Sequence, residues 1–151
     1  MYKDRINLYK TLEVKSNSKL LVYITGDRQG FETQIADDSL DFFINQLDKF
    51  GVSDKISLYL YTRGGLIHTA WNIINLILQF CKELEVIVPY KAYSAGTLLC
   101  LGANSIMMTK QAALGPIDPT IGANLNPLIP GQPLQSNTKA VGINKLDNSS
   151  R

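Results

Sequence analysis

Histidine and cysteine are nearly absent from this chain of 151 residues, which has a single His and two Cys. His68, Cys81 and Cys100 make no ligand set for a structural zinc site, which wants four such side chains at characteristic spacings. No metal is expected. The two cysteines lack CxxC spacing and sit inside apolar stretches, so they read as buried thiols of a reducing compartment. Charge of one sign is also missing. Fifteen Lys and Arg stand against thirteen Asp and Glu, for a formal charge of +2, and they are scattered from Lys3 to Arg151. Such a balance offers no surface for nucleic acid or an anionic membrane. Long hydrophobic runs are absent as well. The most apolar stretch, Leu66 to Phe80, is interrupted by His68, Thr69, Asn72, Asn75 and Gln79, so no membrane span is expected. The opening Met1-Tyr2-Lys3-Asp4-Arg5 leads into no signal-peptide core, and a cytoplasmic protein is the expectation. Neither GxxxxGK[ST] nor GxGxxG occurs, so neither ATP nor a dinucleotide is implied and no cofactor is expected.

What is present is a chain with 45% apolar and 19% charged residues, enough for one core in a single domain spanning 1–151. Residues 1–18 are polar and mixed, a lead-in element ending in a turn. Lys19 to Thr25 is a β-branched and aromatic run stopped by Gly26-Asp27, the mark of a buried strand. Asp38 or Ser39 can cap a helix whose apolar residues Leu40, Phe43, Ile44, Leu47 and Phe50 recur at helical spacing before Gly51. A second strand, Lys55 to Thr62, runs into Gly64-Gly65. The next helix places Leu66, Ala70, Ile73, Ile74, Ile77 and Cys81 on one face, with Trp71 and Leu78 widening it. Glu85 to Pro89 and Ser105 to Thr109 read as two more strands, separated by the short apolar segment Thr97 to Ala103. Lys91 and Lys110 read as surface charges, and Met107 and Met108 as strand core and edge. Strands alternating with helices predict an α/β domain with a mainly parallel sheet. The core is expected over about 19–122. Prolines 116, 119, 127, 130 and 133 mark a long loop, and 123–151 reads as an irregular tail. Without a closing helix, this end suggests a truncated chain or one ordered only against a neighbouring subunit.

Working residues of open parallel sheets lie at the carboxyl ends of strands, where loops meet helix N-termini with free N–H groups. Two loops qualify here. Thr62-Arg63-Gly64-Gly65 can turn sharply and present bare N–H groups, and Tyr93-Ser94-Ala95-Gly96 puts a hydroxyl at a helix start. Together they suggest acyl transfer. Ser94 would attack a carbonyl while N–H groups of Gly64, Gly65 and Ala95 hold the oxyanion. By composition alone, Ser94 reads equally as an N-cap and the glycine pair as a plain turn. Tyr61, Tyr90 and Tyr93 flank these loops as packing residues with hydroxyls at the sheet edge.

Four segments in order carry a more specific signal: Tyr59-Leu60-Tyr61-Thr62-Arg63-Gly64-Gly65-Leu66-Ile67, Val86-Ile87-Val88-Pro89, Ala92-Tyr93-Ser94-Ala95-Gly96-Thr97-Leu98-Leu99, and Leu114-Gly115-Pro116-Ile117-Asp118-Pro119. This arrangement resembles the Clp-fold serine peptidases, most of all the serine dehydrogenase proteinase family. It is more distantly similar to the proteolytic subunit of Clp protease and to signal peptide peptidase A. The resemblance implies a Clp/crotonase-like fold of repeated ββα units, hydrolysis of peptide bonds, and a homo-oligomer; an unfoldase partner is conceivable, though no docking feature marks one. It gives Ser94 the role of nucleophile, and Ala95 with Gly64 and Gly65 the oxyanion hole. Arg63 stands where these peptidases usually have proline, which puts a cation able to grip a substrate carboxylate beside the oxyanion site.

The general base is the departure, because no histidine stands in the 115–119 neighbourhood where the Clp proteolytic subunit has one. Three residues are candidates. His68 follows the glycine turn by three positions, at the start of a helix. Lys139, with Lys145 behind it, would follow the serine-lysine chemistry of signal peptide peptidase A if burial lowered its pKa. Asp118 matches the family's Gly-Pro-Ile-Asp-Pro signature, where Asp serves in the triad; an Asp before Pro is also an ordinary turn-former. Two other functions share the fold. A crotonase-type acyl-CoA enzyme would use a Glu or Asp base on a thioester, and a catalytically silent relative would keep the fold for assembly or peptide binding.

Overall fold

Buried runs in the two central strands decide how this chain packs. In the computed structural model, which describes residues 2–117, helix α1 (Tyr2–Ser16) leads into strand β1 (Lys19–Ile24), followed by α2 (Ser39–Phe50) and β2 (Ser53–Tyr61). Then come α3 (Ile67–Leu78), β3 (Cys81–Val88), the two-residue strand β4 (Lys91–Ala92), α4 (Ala95–Leu101), β5 (Ser105–Met108) and β6 (Ala113–Leu114). Strands β1, β2, β3 and β5 form one sheet in that order, and each neighbouring pair is parallel.

The core lies on the sheet face covered by α2 and α3. Ile56, Leu58 and Leu60 of β2 point to it alongside Leu84, Val86 and Val88 of β3, all fully buried. They meet Leu47 of α2 and Ala70, Ile73 and Ile77 of α3. Each such aliphatic side chain contributes about 1.5–3 kcal/mol by leaving water. On the other face, Glu85 is buried without being stranded, because Ser57 Oγ (2.8 Å) and Lys55 Nζ (3.1 Å) donate to its carboxylate. Such pairing is what a buried charge requires.

A second, smaller layer of parallel pairings sits past the carboxyl ends of the main strands. Strand β4 pairs with β6, Thr62 bridges to Ala92, and Ile35 bridges to Gly65. The long strand, short strand and helix of β3, β4 and α4 form a ββα unit, and the described residues make a mixed α/β fold with a parallel sheet. No helix among the described residues is long and apolar enough to cross a membrane.

Several expectations need correction. Cys81 does not close helix α3, which ends at Leu78; it opens β3 and is buried there. Trp71 and Leu78 do not widen the buried face of α3, for they share with Asn75 the outward stripe one residue off the core positions, and Trp71 is 58% exposed. Met107 and Met108 are both exposed, since β5 is an edge strand. The α2 N-terminus has Asp38 at the cap position without a side-chain cap bond, while the Ser39 hydroxyl donates to Ala36 O instead. Gly51, at φ 64°, ends α2 as expected. Asp118, Lys139, Lys145 and the 123–151 tail lie outside the described residues.

Candidate active site

Thr62, immediately after β2, joins the two loops singled out by sequence. Its N–H donates to Lys91 O (3.0 Å) and its carbonyl accepts from Tyr93 N–H (3.2 Å). Its hydroxyl oxygen accepts from Gly64 N–H (3.0 Å) and from the Thr25 hydroxyl (2.9 Å), all in the protein interior. The glycine turn and the serine loop are therefore held by one side chain and its own backbone.

The turn itself needs its glycines. Gly64 has φ 109° and Gly65 φ 154°, conformations that residues with a Cβ rarely adopt. Space is as tight as conformation. A Cβ on Gly65 would overlap the backbone of Ile35, whose N–H donates to Gly64 O (2.9 Å) and whose carbonyl accepts from Leu66 N–H (2.8 Å). The segment before α2 is thereby laid along the glycine turn. Gly64 in turn lies against the serine loop, where a Cβ would stand 3.4 Å from Ala95 N.

Ser94 stands at the N-cap position of α4 but does not behave as a cap. Its backbone has φ 52° and ψ −118°, and its side chain makes no cap hydrogen bond. A non-glycine residue in this region carries backbone strain of about 1–3 kcal/mol. A sharp strand-to-helix turn of this kind is the one that exposes the nucleophile of α/β-hydrolases. The half-buried Ser94 lines a cavity of about 400 Å³ together with Arg63, Gly64, Gly65, Glu32, Thr33 and Gln34.

The N–H groups around it are unequally committed. Gly64 N–H is spent on Thr62, whereas neither Gly65 N–H nor Ala95 N–H donates to any partner among the described residues. Behind Ser94, the buried Thr97 hydroxyl lies 2.8 Å from the carbonyl oxygens of both Ala92 and Gly115 and accepts from Gly115 N–H (3.1 Å). Gly115 also lies against the Tyr93 ring. The start of the Gly-Pro-Ile-Asp segment is thus tied to the helix that Ser94 opens.

The other candidates are placed as follows. His68 is exposed and does not line the Ser94 cavity; its Nε2 lies 3.1 Å from the Asp37 carboxylate, which also accepts from the Thr69 hydroxyl. Those two bonds, Thr69 first, hold the Asp37 carboxyl below its ordinary range. Lys91 is not the surface charge that its sequence context suggested. It pairs with Asp27 and lies 5.3 Å and 5.6 Å from the stacked rings of Tyr61 and Tyr90. Lys91 and then the Tyr61 hydroxyl (2.7 Å) hold the Asp27 carboxyl low, while Asp27 raises both Lys91 and Tyr61. The structure brings Ser94 and the glycine pair into one cavity, and it adds Thr62, Thr97, Asp27 and Asp37, each of which has a partner more than fifteen positions away. Among the described residues, no three His, Cys, Asp or Glu gather as a metal would require.

Comparison with known proteins shows a family and two partial relatives. The family model of the ClpP-like SDH-type serine proteinases matches residues 44–142. Two uncharacterized proteins of Methanocaldococcus jannaschii are 43% and 39% identical to the chain over 67 residues, which is 44% of this chain and 23% of each relative. The chain therefore matches less than a quarter of the length of these curated relatives.

Proposed function

The chain belongs to the ClpP-like SDH-type serine proteinases, a family of serine peptidases, and from that premise we propose that it cleaves peptide bonds through an acyl-enzyme on Ser94. One observation supports this reading most directly: Ser94 adopts a strained φ of 52° in a cavity, with its hydroxyl not spent on capping the helix it begins. The Ser94 Oγ attacks the substrate carbonyl while a base takes its proton. Gly65 N–H and Ala95 N–H receive the developing oxyanion, and Gly64 contributes by letting the turn approach Ser94. The base returns the proton to the leaving amine, and water then hydrolyses the ester.

Of the candidate bases, His68 is engaged with Asp37 outside the cavity, so the proposal turns to Lys139 and to a group oriented by Asp118. A homo-oligomer accords with large apolar side chains left exposed, such as Phe42 at 70%. The free, buried Cys81 and Cys100 accord with a cytoplasmic location. Peptide or protein substrates and no cofactor complete the reading.

Labelling with a fluorophosphonate tests it. An adduct mapped to Ser94 and abolished in Ser94→Ala is expected, with Lys139→Ala slowing it and His68→Ala leaving it near wild type. No adduct on the folded protein would favour a catalytically silent member of the fold.

A further inference from the structure

We infer that Arg63 binds a carboxylate of the substrate beside the bond that Ser94 attacks, so that this site selects acidic peptides; the inference rests on the peptidase reading of Ser94. Arg63 is exposed and lines the same cavity as Ser94, Gly64 and Gly65. Among the described residues its guanidinium makes neither a hydrogen bond nor an ion pair. Two acids are near enough to ask why. Asp27 feels the Arg63 charge, yet its carboxylate is already taken by Lys91 and the Tyr61 hydroxyl. Glu32 lines the same cavity, but it accepts Gly30 N–H (2.9 Å) and forms no ion pair with Arg63.

The Arg63 guanidinium therefore lines the cavity with its donors unpaired among the described residues. The oxyanion is not its natural partner, because the uncommitted N–H groups of Gly65 and Ala95 already suit that oxygen. What remains for a planar fork of five donors is a second anionic group on the substrate. A carboxylate fits that fork with two parallel bonds, which supply direction as well as charge. Such a group has two sources in a peptide: an Asp or Glu side chain next to the scissile bond, or a free C-terminus close to it.

Matched peptides separate the sources. One pair differs by Glu or Gln beside the cleaved bond, the other by a free or amidated C-terminus one residue beyond it. Binding to the intact Ser94→Ala protein is read by fluorescence anisotropy, which needs no turnover. The carboxylate member of one pair should bind about tenfold tighter than its neutral partner. Adding Arg63→Gln should bring that ratio close to one, and Arg63→Lys should retain part of it. The pair that shows the preference identifies the source. No difference within either pair, including no binding of any peptide, overturns the inference, as does a preference that survives Arg63→Gln. Turnover of the same peptides by the unsubstituted protein keeps the two readings apart. Hydrolysis without a carboxylate preference sinks only the role of Arg63; a preference in binding without hydrolysis or labelling sinks only the peptidase.

Discussion

Gly64 is packed so closely on Ser94 that a methyl group on it would stand 2.8 Å from the Ser94 Cβ and 2.7 Å from the Tyr93 carbonyl oxygen. Both contacts are with the strained turn rather than with a flexible side-chain end. Gly64→Ala therefore has to move the serine loop, and its φ of 109° adds a conformational cost. A loss of about 1–3 kcal/mol in denaturant unfolding is expected. Fluorophosphonate labelling of the still-folded variant at Ser94 should fall at least tenfold, a threshold set by a barrier change of about 1.4 kcal/mol. Labelling at the wild-type rate would show that Gly64 does not set the position of Ser94.

Thr62 supplies a sharper dissection, because its hydroxyl and its methyl do different work. Thr62→Val keeps the shape but leaves Gly64 N–H and the buried Thr25 hydroxyl without their acceptor. An orphaned buried donor costs about 1–3 kcal/mol. Thr62→Ser keeps the acceptor and loses only the Cγ2 methyl, so it should cost less. Denaturant melts of the two variants decide the order, and an equal or reversed order would remove the hydroxyl from the account.

The same methyl faces Gly96, where an added Cβ would overlap Thr62 Cγ2. Gly96→Ala alone should destabilise the protein, while the double variant Thr62→Ser with Gly96→Ala should recover much of the loss. A coupling of about 1–2 kcal/mol in the double-mutant cycle is expected for atoms in direct contact. Additive losses would show that the overlap relaxes elsewhere.

How far the sequence announces these relationships depends on how local their causes are. The four main strands are legible because Val, Ile, Leu and Tyr runs end in turn residues, as at Lys19–Ile24 before Gly26. The Ser94 loop and the glycine pair are legible through their place after strands and the order of the four segments. Trp71 misleads because its spacing is compatible with a wide apolar face, and only the position of the sheet shows that it points outward. Thr62 carries no sequence signal, since a threonine at a strand end is ordinary and its partners, Thr25 and Gly96, are more than thirty positions away. Lys91 is similar: its charge reads as solvated until Asp27, from the loop after β1, is brought beside it.

The two thiols give a chemical check on the core. Cys100 is fully buried, and burial pushes its pKa up to about 12; Cys81 is also raised by burial. Only the thiolate reacts readily with alkylating agents. Native protein at neutral pH should therefore resist iodoacetamide, and both cysteines should label once denaturant unfolds it. Rapid native labelling of Cys100 would contradict the packing of α4 against the core.

The Asp27–Lys91 pair predicts how acid acts on the scaffold behind the site. Lys91 and then the Tyr61 hydroxyl hold the Asp27 carboxyl below the ordinary 3.8. A carboxylate whose folded pKa is depressed binds fewer protons folded than unfolded in that window. Its stabilisation is therefore complete above the ordinary carboxylate value and is lost as pH falls through the depressed one. Lys91 has the opposite sign: its pKa is raised above 10.5, so its contribution persists at neutral pH and is lost only in strong alkali. The melting temperature of the native protein should thus decline as pH drops below about 4. Asp27→Asn should flatten part of that decline without removing it, because Asp37 and Asp54 are also held low. Since Thr62 N–H is bonded to the carbonyl of Lys91, loosening this pair should reach the serine loop as well. Fluorophosphonate labelling of Asp27→Asn, compared with wild type at neutral pH, measures that transmission, and a slower adduct at Ser94 is the expected result. An unchanged acid limb in Asp27→Asn would mean that the pair contributes nothing to folding.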